Sequence, residues 1–148
     1  METRSHIHEE QFTASPETVF KLLHTPSAIR AWWGAAQAII MAVPGGSWSA
    51  TWGEDEDDPD YVTTATIRDF EPPVRLTLID YRYTSKFGDL PFQANFVTEF
   101  LITPGDNGTT LRVTQEGFPA DSMADEYYAA CQQGWTDTFA GIRRYLEG

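Results

Sequence analysis

Toward the end of the chain, apolar residues recur as Tyr127, Cys131, Trp135, Phe139, Ile142 and Leu146, with spacings of four, four, four, three and four. A period near 3.6 puts these positions on one stripe, which predicts a helix over about 122–146 with one buried face. Ser122 and Asp125 fit a capping box, Glu126 suits the positive end of the helix dipole, and Arg143 and Arg144 suit the negative end. At 1.5 Å rise per residue the helix is about 36 Å long, enough to cross a whole sheet.

The rest of the chain follows other periods. His6 to Thr13 alternates as a strand would, until Ala14-Ser15-Pro16 stops it. Ser15 is a good N-cap, Pro16 suits the first helical position, and Glu17 favours the dipole. Val19, Phe20 and Leu23 then share a helical face as far as Pro26. Thr25-Pro26 starts a second short helix carrying Ile29, Trp32 and Trp33, which Gly34 ends. From Gln37 to Gln115, β-branched and aromatic residues are punctuated by Gly, Pro, Asn and Asp. Six strands are predicted near 37–43, 47–53, 61–70, 74–84, 92–103 and 109–117. Pro44-Gly45-Gly46, Glu71-Pro72-Pro73 and Gly105-Asp106-Asn107-Gly108 mark turns, and the acidic run 54–60 reads as a solvated hairpin loop. Connections this short cannot cross over, so the sheet is antiparallel. The prediction is an α+β fold, a curved sheet of about seven strands wrapped around the long C-terminal helix.

One strand breaks the alternation. Leu76 and Leu78 share one parity, whereas Ile79, Tyr81 and Tyr83 share the other. A bulge near Ile79 would turn Tyr81 and Tyr83 inward and leave Asp80 and Arg82 in water. The opposite parity would bring Asp80 and Arg82 inside as a charged anchor.

At 148 residues the chain suits one domain spanning 1–148, large enough to need neither disulfide nor structural metal. A formal charge of -12 argues against nucleic-acid and anionic-membrane partners. The single cysteine, Cys131, fits a reducing compartment. The first ten residues lack the apolar core of a secretory signal, and no run approaches 18 apolar residues, so a cytoplasmic location is expected.

Several ordered segments carry a family resemblance: Ala14-Ser15-Pro16-Glu17-Thr18-Val19-Phe20, Trp32-Trp33-Gly34, Gly45-Gly46-Ser47-Trp48, Phe70-Glu71-Pro72-Pro73-Val74-Arg75-Leu76, Gly108-Thr109-Thr110-Leu111 and Gly134-Trp135. In this order the chain, from about Ile7 to Leu146, resembles the START-like superfamily and its branch of activators of heat-shock-protein ATPase. The resemblance implies a helix-grip fold whose cavity accepts a small apolar or amphipathic ligand. It does not settle activity, because the superfamily includes carriers, receptors, cyclases and co-chaperone domains. Gln132-Gln133 stand where relatives often carry a His, so no role of that His transfers. A chaperone or a second copy of the chain ranks as an alternative partner. This reading ranks lower because the chain lacks the extra domain of eukaryotic co-chaperones in the family.

The aromatic residues Trp32, Trp33, Trp48, Trp52, Tyr61, Tyr81, Tyr83, Phe92, Phe96, Phe118, Tyr127, Tyr128 and Trp135 each suit an ordinary core. Together they suit a cavity, because buried Tyr and Trp need partners for their polar tips. The expected ligand-contacting wall is Trp33, Trp48, Tyr61, Tyr81, Tyr83, Phe96, Tyr127, Cys131 and Trp135. Gly134, inside a helix, points either to close backbone approach by a strand, side chain or ligand, or to tight helix-on-sheet packing.

His6 and His8 share a strand face at a spacing that chelates metals, but no third ligand is identifiable and a terminal strand is often exposed. No metal is therefore expected. His24, at a helix end, suits a dipole interaction. Gly45-Gly46-Ser47-Trp48-Ser49 is not a nucleophile elbow, and no nucleotide-binding loop occurs, so no cofactor is expected. Cys131 reads as an inert buried thiol. Small-ligand binding is the leading function. The enzymatic alternative, of the cyclase or hydrolase kind, would need Tyr81 with Asp80, Arg82 or Glu99 as an acid–base pair, or Glu99 with Glu116.

Overall fold

The computed structural model describes residues 3–88 and 96–147. The chain runs β1 (Thr3–Phe12), α1 (Pro16–Leu22), α2 (Pro26–Trp33), β2 (Gln37–Ile40), β3 (Ser47–Trp52), β4 (Tyr61–Glu71), β5 (Arg75–Ser85), β6 (Phe96–Gly105), β7 (Gly108–Pro119), a 3-10 turn (Ser122–Ala124) and α3 (Asp125–Glu147). The strands form one antiparallel sheet in the order β1-β7-β6-β5-β4-β3-β2. Six consecutive strands thus pair as hairpin neighbours, and β1 closes the far edge by pairing with β7 from Thr3↔Pro119 to Phe12↔Thr109. The sheet curves around α3, as a helix-grip fold requires. The expected segment 92–95, with Phe92, lies outside the described residues.

Local chemistry accounts for the two short helices. Ser15 Oγ accepts the Thr18 N–H at 3.2 Å and caps α1, and Gly34 ends α2 at φ 74°, a conformation that favours glycine. The helix ends leave carbonyls without intrahelical partners, and three indoles fill that need. Trp32 Nε1 donates to Leu22 O at 3.0 Å, Trp48 Nε1 to Leu23 O at 3.1 Å, and Trp52 Nε1 to Trp33 O at 3.3 Å. The tryptophans therefore fasten the ends of α1 and α2 to one another and to β3.

The phase change in β5 is a bulge. Pairing to β6 slips between Leu78 and Tyr81, and Asp80 adopts φ 51° there. The extra residue lets Leu76 and Leu78 bury before it and Tyr81 after it, while Asp80 and Arg82 stay exposed. The charged-anchor alternative is therefore not realised.

Three details differ from the sequence expectations. The strand after α2 ends at Ile40 rather than 43, because Val43 N–H bonds Met41 O and Gly46 N–H bonds Val43 O in a tight turn. The capping box of Ser122 with Asp125 does not form. Asp121 instead accepts the Met123 N–H at 3.0 Å, and Asp125 pairs with Arg4 at 2.6 Å. β1 is not an exposed terminal strand: α3 covers it, and Tyr128 donates to Ser5 O at 2.8 Å. α3 also packs closely on α2 at Gly141, where a Cβ would strike the Trp32 carbonyl.

Candidate ligand cavity

Between the end of α2, the inner face of β3 to β5 and β7, and the middle of α3 lies a cavity of about 660 Å³. The sheet's alternation aims Thr63 of β4 and Gln115 of β7 into it, and the β5 bulge adds Tyr81 and Tyr83. The helical stripe contributes Tyr127, Cys131 and Trp135, and α2 contributes Trp33.

The aromatic walls form two connected groups. Trp33 stacks on Trp32 with ring centres 5.1 Å apart, meets Trp52 edge-on at 5.4 Å, and lies 6.2 Å from Trp135. Opposite, Tyr61 stacks on Tyr83 at 5.8 Å, and Tyr83 lies 6.0 Å from Tyr127. Burial raises the pKa of Tyr81, Tyr83 and Tyr127 above the ordinary phenol value, and pushes that of the Cys131 thiol up to about 11. Cys131 is thereby kept a thiol rather than a reactive thiolate. Burial here disfavours ionised phenol and thiol groups, while Asp137 and Arg144 bring one charge of each sign to the lining along α3.

Of the residues expected to line the site, Trp33, Tyr61, Tyr81, Tyr83, Tyr127, Cys131 and Trp135 border the cavity. Trp48 and Phe96 do not, and this corrects the sequence reading. Trp48 faces inward but is only 1% exposed, with its ring centre 5.8 Å behind Trp33 and its indole N–H held by Leu23. Phe96, 2% exposed, packs into a separate aromatic cluster with Phe118 at 4.8 Å and backs Tyr127 at 5.9 Å. At Gly134 neither a strand, a side chain nor tight helix-on-sheet packing makes the close approach among the described residues. No atom lies within 4 Å of where its Cβ would be, so its missing side chain leaves open space on the cavity wall.

The sequence reading missed a polar element. Gln115, 5% exposed, accepts the Trp135 indole N–H at 3.2 Å through Oε1 and donates to Thr98 Oγ1 at 3.1 Å through Nε2. Its parity with the buried Leu111 and Val113 was the available signal. Thr63 likewise shares the parity of Ala65 and Ile67, and its hydroxyl bonds Tyr81. Thr138, Asp137 and Arg144 extend the lining along α3.

The other candidates lie elsewhere. Asp80 and Arg82 are exposed, Glu99 reaches Arg75 at 3.6 Å on the outer face, and Glu116 is exposed. The acid–base pairs named from sequence are therefore not assembled in the cavity. His6 and His8 stack at 5.4 Å, and no cluster of three or more His, Cys, Asp or Glu suited to a metal occurs among the described residues. His24 wedges between Phe20 and Phe70 at 5.2 Å from each, and burial lowers its pKa. No helix among the described residues is long and apolar enough to cross a membrane.

Comparison with known proteins places this architecture. The family model for activator of Hsp90 ATPase homolog 1-like proteins matches residues 13–147. The chain belongs to that family. Within the fold of the activator of Hsp90 ATPase homolog 1-like family, it is similar to protein MLL2253 from Mesorhizobium loti, with 23% identity, a TM-score of 0.78 and 97% of each chain covered. It is also similar to an uncharacterised protein from Rhizobium leguminosarum, at 19% identity and a TM-score of 0.79, covering 99% of this chain and 95% of that one. Protein Ms6760 from Mycobacterium smegmatis shares the fold at 15% identity and a TM-score of 0.74, covering 96% and 90%. A search of curated proteins finds no match. At these identities the solved structures establish the fold, which is consistent with ligand binding.

Proposed function

We propose that the protein binds a small, neutral, largely apolar molecule in the cavity between the sheet and α3. The observation that carries this reading is the cavity of about 660 Å³, whose lining includes four Trp and four Tyr rings. That volume falls in the range of small-molecule sites, which combine apolar walls with a few placed polar groups. The same observation ranks ligand binding above a chaperone-directed role, which the family description brings to mind. The outward position of Asp80, Arg82 and Glu99 ranks it above acid–base catalysis by those groups.

The test is titration with the neutral fluorophore N-phenyl-1-naphthylamine, alongside native mass spectrometry of protein taken directly from cells. Saturable one-to-one binding is expected. Failure to saturate, with no small molecule retained in the mass spectrum, refutes the reading.

A further inference from the structure

We propose that Gln115 is the specificity-determining residue of this cavity, and that its ligand is a neutral aromatic molecule carrying a hydrogen-bond-accepting oxygen, such as an aryl ketone. This inference rests on the cavity being a ligand site and names the chemistry that the site selects.

The argument begins with the amide's orientation. An indole N–H only donates, so the Gln115 atom 3.2 Å from Trp135 Nε1 is the carbonyl oxygen. The amide nitrogen is thereby fixed at the other end, where it donates to Thr98 Oγ1 at 3.1 Å. A primary amide has two N–H groups. Thr98 takes one, and no other acceptor for the second occurs among the described residues. Gln115 borders the cavity and is 5% exposed, so this N–H sits in apolar surroundings where an unmade hydrogen bond is costly. A ligand oxygen supplies the missing acceptor.

The surroundings select the rest of the molecule. Trp135 packs beside the amide, with Trp33 6.2 Å beyond, so an aryl ring attached to the oxygen-bearing carbon has aromatic faces to lie against. Tyr81, Tyr83, Tyr127 and Cys131 all resist ionisation there, the lining Arg144 is balanced by the lining Asp137, and the chain carries a formal charge of -12, so a carboxylate is disfavoured.

Two probes of the same shape isolate the effect: 2-acetylnaphthalene, which offers a carbonyl oxygen, and 2-isopropenylnaphthalene, which places a methylene there. Their affinities are compared in the wild type and in Gln115→Leu, so that differences in water solubility cancel. The ratio favouring the ketone should fall roughly three- to ten-fold in the variant, the worth of one neutral hydrogen bond. In the wild type, the ¹⁵N resonance of the Gln115 side-chain amide should shift with the ketone and not with the alkene, a readout that does not need the variant to fold. An unchanged ratio, or equal shifts with both probes, overturns the role of Gln115 while leaving the cavity reading intact. If neither probe binds, both readings fall.

Discussion

His6 lies in the joint between β1 and α3, only 2% exposed, and neither of its ring nitrogens makes a hydrogen bond of ordinary geometry among the described residues. Tyr128 of α3 stacks on it at 3.9 Å, Phe118 of β7 meets it edge-on at 4.7 Å, and His8 and Arg4 approach along β1. Burial first, then the neighbouring His8, hold its pKa down to about 4, against an ordinary 6.5. The unfolded chain therefore takes up a proton near pH 6.5 that the folded protein refuses until about pH 4. Stability from neutral His6 is complete above pH 6.5 and is lost progressively as the pH falls toward 4. Across the whole window the loss is about 3 kcal/mol, and by pH 5 it is about 2 kcal/mol. The informative perturbation is His6→Phe, which keeps a ring against Tyr128 and Phe118 but cannot titrate. Urea unfolding of both proteins at pH 7.5, 6 and 5 provides the assay. The wild type should lose about 2 kcal/mol more than the variant between pH 7.5 and 5. His8, His24 and the carboxylates are present in both proteins and largely cancel. Parallel pH profiles would refute the reasoning, since they would mean that His6 is solvated or partnered in solution.

Other substitutions separate cavity wall from packed core. Gly134→Phe should leave the fold as stable as before or better by a few tenths of a kcal/mol, because glycine is a poor helix former and no described atom lies within 4 Å of the new Cβ. The same change should abolish N-phenyl-1-naphthylamine binding in a fluorescence titration. Gly141→Ala, two turns further along α3, should instead cost about 1–3 kcal/mol in urea, because its methyl group strikes the Trp32 carbonyl. Trp48→Phe should destabilise by about 2–3 kcal/mol, losing packing and leaving Leu23 O without its donor, yet alter probe affinity less than two-fold. A large affinity loss there would place Trp48 in the wall after all.

Much of the architecture follows from short-range chemistry and was legible in the sequence. The stripe from Tyr127 to Leu146 needs only helical periodicity, the start of α1 needs only Ser15 and Pro16, and the end of α2 needs a glycine able to adopt φ 74°. The parity break near Ile79 announced the bulge, because two incompatible runs of apolar residues cannot share one regular strand. Gln115 and Thr63 were also readable by parity, each in step with buried apolar neighbours on its own strand.

The sequence by itself thus determined the elements, their antiparallel order and a surplus of aromatic residues facing inward. Tertiary structure alone decided which inward residues meet empty space and which meet other atoms. Trp33 and Trp48 both face the interior, yet Trp33 lies between Trp48 and the cavity. Gly134 and Gly141 lie on the same helix, yet one borders open volume and the other touches the backbone of α2. His6 is buried because α3, more than a hundred residues later in the chain, covers β1. Local periodicity reports the direction of a side chain. What stands opposite is set by a distant element, and that second surface separates cavity wall from core.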